Sequence, residues 1–330
     1  MIHNMSRFTT LLTLCLVVLV ATACGKTVET GANNTTPQNT SQTTTQSEET
    51  GTQMANDAYG NQVEIPIAPK RIVYTDNTVG DLLIFGIKPV GVVQQGLQYA
   101  TYKDELKDVA DIGWPPSPEK IVELQPDLII TSTPDQKQNE TLSKIAPVIL
   151  TNEWDPMPVR INRLGEWLGN KQVPEEFLAQ HNAKIVKMWN DLQQDGTIEK
   201  DETASVFQYM IGQKRLSVYT TSYLPGFVYN EDGFKPTAAI QKMIDDPDDY
   251  GYANISIEQL PEIAGDRIFI VYYSDEELKE VENMTKGPVW SQLPAIKAGK
   301  VYFVNGGLGI STDPLAREEL IKQLPIMLKK

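Results

Sequence analysis

One long amphipathic segment, Pro174 to Gln194, constrains the fold of this chain most. It starts with a proline at a favoured first helical position and carries Glu175 and Glu176 in its first turn. Asp195-Gly196 then marks the end of the predicted helix. At 1.5 Å per residue, the predicted helix is about 31 Å long, which is the width of a small domain. Apolar side chains recur on one face at helical spacing: Leu178, Ile185, Trp189 and Leu192, widened by Phe177, Ala183 and Met188.

Short apolar runs alternate with amphipathic stretches on both sides of this helix. Continuous Val/Ile/Leu runs indicate strands that are covered on both faces, and therefore mainly parallel sheets. We expect two α/β lobes, residues 57–173 and 195–330, with the helix 174–194 holding them apart and a ligand cleft between them. The predicted strands are Arg71–Tyr74, Pro89–Gln94, Val109–Ile112, Asp127–Ser132 and Pro147–Leu150 in the first lobe, and Ala204–Ile211, Leu216–Thr220, Arg267–Tyr273 and Val301–Val304 in the second. The predicted helices between and after them include Tyr102–Lys107, Pro118–Leu124, Tyr223–Glu231 and the final Pro314–Leu328.

Residues 1–23 have the pattern of a signal peptide. Arg7 precedes an apolar run from Leu11 to Val20, which is too short for a permanent membrane span, and small residues follow it. Cys24 after these small residues resembles the lipobox of bacterial lipoproteins, which implies lipidation of Cys24; the alternative is an ordinary signal peptide cut after Ala23. Residues 24–56 are rich in Thr, Asn, Gln and Ser, so we expect a lipidated cysteine followed by a disordered tether.

Charge and cysteine content exclude several classes of partner and site. The formal net charge is −14, which repels nucleic-acid phosphates and anionic lipid surfaces. Cys15 lies in the leader and Cys24 is the lipidation candidate, so that neither a disulfide nor a thiolate metal site is expected in the mature chain.

A sequence motif occurs twice, once on each side of the long helix. Residues 117–130 and 256–269 both place serine at a helix N-cap, glutamate two residues later and aspartate eight residues after that glutamate, before an apolar strand. Glu119 and Glu258 occupy matching positions. Either they only favour the helix dipole, or they form a symmetric pair of exposed charges that docks arginines of a partner.

Several further segments follow the pattern of one known family: Asp57–Gly60, Pro69–Val73, Gly80–Leu83, Gly86–Val92, Asp111–Gly113, Glu119–Ile121, Pro126–Ile130, Trp290–Leu293 and Gly299–Tyr302. With these segments the chain resembles the iron–siderophore substrate-binding lipoproteins of ABC importers. The resemblance implies two Rossmann-like α/β lobes joined by a single long helix, with Glu119 and Glu258 as permease-docking residues. It also implies a monomeric receptor that is lipid-anchored on the extracytoplasmic face of the cell membrane and carries Fe(III) within a siderophore.

Candidate ligand-binding side chains follow the carboxyl ends of the predicted strands, where α/β folds bind ligands. Aromatic faces suit the apolar backbone of a chelator, and cations or hydroxyls can donate to the oxygens around iron. Each of these residues has the alternative of an ordinary core or surface role. The candidates are Asn77, Gln95 and Trp114 in the first lobe, and Lys214, Arg215, Tyr219, Tyr223 and Tyr252 in the second.

Direct metal binding and enzymatic chemistry are disfavoured. After removal of the leader His181 is the one histidine, and we expect a solvated or half-buried helix residue there. A transition-metal site needs more His or Cys ligands than that, so iron should arrive already chelated. We therefore expect a binding protein without resident cofactors other than its lipid. Its preferred ligand is a ferric hydroxamate, with citrate and catecholate complexes open; the alternatives are a corrinoid or haem receptor and an extracytoplasmic enzyme.

Overall fold

The two halves of the chain fold around separate sheets, as the alternating pattern predicts. The structure, a computed structural model, describes residues 51–329. The predicted signal peptide, Cys24 and most of the predicted tether therefore lie outside the described residues.

An antiparallel hairpin precedes the first lobe. Its strands are β1 (Thr52–Asn56) and β2 (Gln62–Pro66). Trp167 Nε1 donates to the Asn56 carbonyl at 2.9 Å, and Gln53 Nε2 donates to the Trp167 carbonyl at 2.9 Å. The predicted boundary between tether and lobe at residue 57 is therefore wrong: 52–56 belong to the lobe, because backbone pairing holds a strand of polar composition.

The N-terminal lobe contains a five-stranded, entirely parallel sheet in the order β5-β4-β3-β6-β7. Its central strands are fully buried, which explains their continuous apolar sequence. The strands are β3 (Ile72–Tyr74), β4 (Gly91–Val92), β5 (Ala110–Asp111), β6 (Leu128–Thr131) and β7 (Val148–Leu150), and the helices are α1 (Gly80–Leu83), α2 (Pro118–Glu123) and α3 (Gln136–Leu142).

Two helices lead out of this lobe, α4 (Met157–Trp167) and α5 (Gln172–Gln194). They cross closely, because a Cβ on Gly165 would lie 2.8 Å from Pro174 Cγ. Met188, Trp189 and Leu192 at the other end of α5 enter the core of the second lobe. The long helix therefore joins the lobes as predicted, although Ala183 is exposed and lies outside its buried face.

The C-terminal lobe contains a mixed sheet in the order β11-β9-β8-β12-β13, with β10 paired to the start of β8. The strands are β8 (Thr203–Met210), β9 (Arg215–Tyr219), β10 (Lys235–Pro236), β11 (Tyr252–Ile255), β12 (Arg267–Tyr272) and β13 (Val301–Asn305). The helices are α6 (Pro225–Val228), α7 (Ala238–Ile244), α8 (Leu260–Ile263), α9 (Asp275–Met284), α10 (Pro294–Lys297), α11 (Gly306–Gly309) and α12 (Pro314–Leu328).

This second sheet differs from the sequence prediction in two respects. Strands β9 and β11 run antiparallel to their neighbours, and β11 was not predicted because its sequence, Tyr252–Ile255, is short and half polar. The predicted helix Tyr223–Glu231 is only the single turn α6, since Tyr223 has a φ of +66°. In the first lobe, the predicted helix Tyr102–Lys107 is a 3₁₀ turn, Lys103–Leu106.

The start of α12 forms a second, non-covalent junction between the lobes. Asp313 caps α12, and its Oδ2 accepts hydrogen bonds from Gly80 N and Tyr102 Oη, both at 2.7 Å. Arg160 Nη2 donates to the Thr312 carbonyl at 3.0 Å. The lobes are thus held by this junction as well as by α5, which favours a small range of lobe motion.

Within residues 51–329, no helix has the length and apolarity needed to cross a bilayer.

Candidate functional site

A cavity of about 740 Å³ lies between the lobes, at the carboxyl ends of strands from both sheets. Asn77 follows β3 and Trp154 follows β7, whereas Tyr273 follows β12 and Gly306 follows β13. Parallel strands place the loops that follow them at one edge of a sheet, so that two facing sheets line a common cleft. The main lining side chains are Asn77, Tyr99, Tyr102, Glu153, Trp154, Asp155, His181, Ile185, Tyr223, Phe227, Tyr273 and Arg317.

Aromatic side chains form one wall of this cavity and contact each other across the lobes. The rings of Tyr99 and Tyr273 meet edge to face, with centroids 5.5 Å apart. Beside them Gly307 approaches the backbone of the other lobe so closely that a Cβ there would lie 1.8 Å from the Tyr99 carbonyl oxygen. The lobes are therefore in direct contact at this side of the cleft, and glycine at 307 is what allows it.

A buried guanidinium supplies the positive charge of the site. Arg317 Nη2 donates to the Tyr223 carbonyl at 2.8 Å, while Nη1 is buried without a hydrogen-bond partner. Its Cζ lies 5.7 Å from the centre of the Phe227 ring. Burial lowers the pKa of Arg317 to about 10, so the side chain stays cationic at neutral pH. The free donor on Nη1 is suited to an oxygen of a bound ligand.

The acidic and imidazole groups of the cavity are largely engaged with the protein. Asp155 Oδ2 accepts a hydrogen bond from Arg163 Nη1 at 2.8 Å. His181 Nδ1 lies 2.7 Å from Glu318 Oε1, and burial lowers the pKa of His181. The expectation that His181 is solvated or half-buried is wrong, because α12 covers it, leaving 4% exposed. Burial also raises the pKa of Glu153.

The structure distributes the predicted ligand residues unevenly. Asn77 and Tyr223 line the main cavity, and Trp114 lines a smaller neighbouring cavity together with Asn77. The predicted tyrosines do cluster. The ring centroid of Tyr219 lies 5.4 Å from that of Tyr223 and 6.4 Å from that of Tyr252. Tyr219 is buried, however, and its hydroxyl donates to Gln208 Oε1 at 2.6 Å.

The remaining candidates lie outside both cavities, as does Tyr219 itself. Gln95 and Lys214 are exposed, Tyr252 is about half exposed, and Arg215 Nη2 donates to Met210 Sδ at 2.9 Å. None of these four is among the described lining residues of either cavity.

Sequence reasoning missed several lining residues. Tyr273 comes directly after β12 and Trp154 lies in the loop after β7, so the carboxyl-end rule could have found them. Tyr99 also lies in the loop after β4, but beyond an intervening 3₁₀ turn, Gln94–Leu97. Arg317 carries no such signal, because it comes from α12.

The repeated motif makes the same strand-entry contacts in both lobes, although its helical part is α2 in the first lobe and a 3₁₀ turn, Ile257–Gln259, followed by α8 in the second. Asp127 accepts hydrogen bonds from Lys70 N and Arg71 N, just before β3, and Asp266 accepts them from the Thr203 backbone and hydroxyl at the start of β8. Each aspartate thus ties the entry of its own strand to that of the neighbouring strand. The two segments are equivalent parts of the two lobes.

The glutamates of the repeat are fully exposed. The Ser117 hydroxyl donates to Glu119 Oε2 at 2.8 Å, and this hydrogen bond lowers the pKa of Glu119. The pKa of Glu258 is also lowered, by its own backbone N–H and by the Ser256 hydroxyl. Both side chains are therefore anionic at neutral pH, one on each lobe.

No group of three or more His, Cys, Asp or Glu residues within 51–329 could hold a metal ion. The described cavity offers aromatic surface and a few charged groups, which is a lining suited to an organic ligand.

Two α/β lobes, a long connecting helix and an interlobe cleft define the class of two-lobe solute-binding proteins. The chain belongs to the periplasmic binding protein family, whose model matches residues 72–306.

Individual proteins and a solved structure support this assignment. The chain is 29% identical to the iron(3+)-hydroxamate-binding protein YxeB of Bacillus subtilis (strain 168), over 96% of this chain and 95% of that protein. It is 30% identical to the probable siderophore-binding lipoprotein YfiY of the same organism, over 77% and 80% of the two chains. The solved structure of FhuD2 from Staphylococcus aureus with bound ferrioxamine B matches with a TM-score of 0.67 at 26% identity, covering 79% of this chain and 98% of that one.

Proposed function

We propose that this protein is an extracytoplasmic receptor that binds a ferric siderophore, preferably of hydroxamate type, and delivers it to an ABC permease. The observation that carries the proposal is the interlobe cavity, which combines aromatic walls with the unpartnered Nη1 of Arg317. Aromatic faces pack against the apolar arms of a chelator, and the buried guanidinium donates to oxygens around the iron. YxeB, which is named for hydroxamate binding, aligns over nearly the whole chain and supports this ligand class.

The charge of the cavity favours hydroxamate over catecholate complexes. The hydroxamate groups of a tris-hydroxamate balance the charge of Fe(III), whereas a tris-catecholate complex is strongly anionic. Among the described lining residues, Arg317 is the one arginine or lysine, and the acids are Glu153 and Asp155, of which Asp155 is paired with Arg163. A single cation facing acidic neighbours would stabilise a neutral complex better than a polyanion.

A binding screen tests this function. Purified protein is titrated with ferric hydroxamate, citrate and catecholate complexes and with haem and a corrinoid, and tryptophan fluorescence is recorded. Trp154, 75% exposed in the cavity wall, is the expected reporter. We expect hydroxamate complexes to quench at the lowest concentration. Tighter binding of haem or a corrinoid, or ester turnover without binding of any chelate, would contradict the proposal.

An Arg317→Met variant tests the role of the buried guanidinium. It keeps most of the side-chain volume but removes the free donor, so we expect the Kd for a ferric hydroxamate to rise about tenfold or more. Lys322→Met, on the exposed part of the same helix, removes the same charge as a control. Equal affinities of the two variants would contradict a direct contact between Arg317 and the ligand.

Glu119 and Glu258 are the proposed docking residues for the permease. They are exposed, anionic and carried by equivalent segments of the two lobes, so that a pair of permease subunits could present one arginine to each. A double charge reversal, Glu119→Lys with Glu258→Lys, should abolish siderophore uptake by cells while the Kd of the purified protein stays the same.

The chain offers a matched control for this reversal. Glu123 and Glu262 lie four residues after the docking candidates and are also exposed. Reversing this second pair changes the net charge equally and should leave uptake near the wild-type rate. Equal uptake by the two double variants would remove the docking assignment.

The proposed site of action is the outer face of the cell membrane, with lipidated Cys24 as the anchor and the receptor as a monomer. YfiY, named as a lipoprotein, supports this anchor. Cys24→Ser should abolish incorporation of labelled palmitate and release the protein from the membrane fraction. Retention of label in the variant would contradict it.

A further inference from the structure

A second cavity of about 250 Å³ lies in the N-terminal lobe and adjoins the main one. The two cavities share Asn77, Glu153 and Trp154 in their linings. The loops after β3, β6 and β7 form its walls, so it sits at the same sheet edge as the cleft. A ligand in the cleft could therefore extend an arm into it.

The second cavity contains a buried carboxylate with an unused oxygen. Asp76 is 5% exposed, and its Oδ1 accepts hydrogen bonds from Ser132 N at 2.7 Å and from Thr75 Oγ1 at 3.3 Å. Its Oδ2 has no hydrogen-bond partner. Native structures rarely leave such a group unsatisfied, since a buried oxygen without a donor is costly. Asp76 Oδ2 thus needs a donor that the described residues do not supply.

The charge of the lining indicates what kind of donor fits. Glu153 is the other ionisable acid of this cavity, and the described lining contains neither lysine nor arginine. Two carboxyl groups in a lining without lysine or arginine favour a cationic ligand. A metal ion is a poorer fit, because no described cluster of three or more metal-binding side chains lies there.

Aromatic faces complete the lining. Trp154, Trp114 (64% exposed) and Tyr59 (53% exposed) all border the cavity, and no described arginine lies over their rings in a cation–π contact. Exposed tryptophan and tyrosine faces attract alkylammonium groups, which hydrate less strongly than metal ions and stack on the rings through their methylenes. Acid and aromatic groups together are therefore selective for an organic ammonium.

We propose that this second cavity binds the alkylammonium arm of the ferric complex held in the main cleft, with Asp76 accepting its hydrogen bond. The inference rests on the proposed function and narrows it to cationic siderophores, in which a neutral ferric hydroxamate core carries a pendant amine.

Two ligands that differ only in the arm test the proposal. Ferrioxamine B carries a terminal ammonium, and its N-acetyl derivative has the same iron-binding core with a neutral arm. Their Kd values are measured by fluorescence and calorimetry at pH 8, with the wild type, Asp76→Asn and Asp104→Asn. Asparagine keeps the Oδ1 acceptor for Ser132 N, and Asp104 is an exposed N-terminal-lobe residue that provides the same charge change.

We expect the wild type and Asp104→Asn to bind the ammonium form about tenfold more tightly than the acetylated form. Asp76→Asn should bind the two forms equally while retaining the wild-type Kd for the acetylated one. Trp114→Leu, which alters only the second cavity, should reduce the preference without changing the melting temperature.

The outcomes separate this inference from the function on which it rests. Equal wild-type affinity for the two ligands, both bound tightly, would overturn the ammonium site and leave the receptor function intact. Binding of neither ligand would overturn the proposed function itself. A preference that persists in Asp76→Asn would also overturn the inference, since Asp76 would not be the acceptor.

Discussion

The two lobes share a scaffold motif but not the chemistry of their cleft walls. The repeated helix-to-strand segments place Asp127 and Asp266 in equivalent positions, where each ties two strands together. At the cleft, the N-terminal lobe supplies the acidic groups and the tryptophans, the C-terminal lobe supplies Arg317, and both lobes contribute tyrosines. The scaffold segments at the edges of the two lobes can therefore stay alike while the loops that line the cleft differ. These loops can then contact different parts of one ligand.

The same contrast holds for the buried ion pairs. In the N-terminal lobe, Arg160 forms a fully buried salt bridge with Asp81, Nε to Oδ2 at 2.7 Å. In the C-terminal lobe, Glu202 lies 3.0 Å from Arg267 Nε and also pairs with Lys300 Nζ at 2.6 Å. The Asp81 carboxylate thus has one cationic partner, whereas the Glu202 carboxylate has two.

Removing the arginines should give the largest difference between the lobes. Arg160→Met leaves Asp81 buried without a counter-charge, so we expect a loss of about 3–5 kcal/mol in the free energy of unfolding. Arg267→Met leaves Glu202 paired with Lys300, and the expected loss is about 1–3 kcal/mol. Urea titrations followed by circular dichroism measure both. Equal losses of unfolding free energy in the two variants, or a larger loss in Arg267→Met, would contradict the expected difference between the lobes.

Asp76 should make stability depend on pH in the N-terminal lobe. Burial raises the pKa of Asp76 to about 7. A raised pKa means that the folded state binds the proton more tightly, so its contribution to stability is present at low pH and is lost as pH rises from about 4 to about 7. Asparagine mimics the neutral acid. Asp76→Asn should therefore match the wild type near pH 4 and exceed its unfolding free energy by roughly 4 kcal/mol at pH 8.

The difference between variant and wild type is the quantity to measure, by urea titration at several pH values. This difference separates the effect of Asp76 on stability from the effects of the other titratable groups around it. These groups are Glu153 and Tyr59 in the cavity wall and Tyr74 on β3. A difference that stays constant from pH 4 to pH 8 would show that Asp76 does not titrate in this range.

The smallest expected effect concerns the contact between the lobes. Gly307→Ala places a Cβ against the Tyr99 carbonyl, which must push the lobes apart, so we expect about a tenfold rise in the ligand Kd. Gly212→Ala is the control, because its Cβ would meet open space. Small-angle scattering should show a larger radius of gyration for Gly307→Ala alone. Unchanged affinity would indicate that this contact does not shape the cleft.

Much of the fold could be predicted because its signals are local. Proline and serine caps placed α2, α5 and α12 within a few residues, and apolar runs marked the central strands of both sheets. Strand β1 was not predicted because apolar composition does not stabilise it. Its backbone pairs with β2, and the carbonyl of its last residue accepts a hydrogen bond from Trp167. Local sequence contains no information on such distant partners.

The site was predicted less well for the same reason. Asn77, Trp114 and Tyr223 followed from their proximity to strand ends, but Tyr219 turned inward to Gln208 and Arg317 came from the final helix. Whether a side chain points into the core or into the cleft depends on how whole helices and strands pack together. Residue spacing along the chain does not contain this information.

The position of α12 has a consequence for when the receptor becomes functional. This helix supplies Arg317 to the cleft, its Glu318 covers His181, and its cap, Asp313, joins the lobes. A nascent chain that has not yet passed residue 328 therefore has both sheets but an incomplete binding pocket. Since Leu320, Leu324 and Leu328 of α12 also enter the core of the C-terminal lobe, a chain truncated before α12 should lose stability in that lobe as well as the binding pocket.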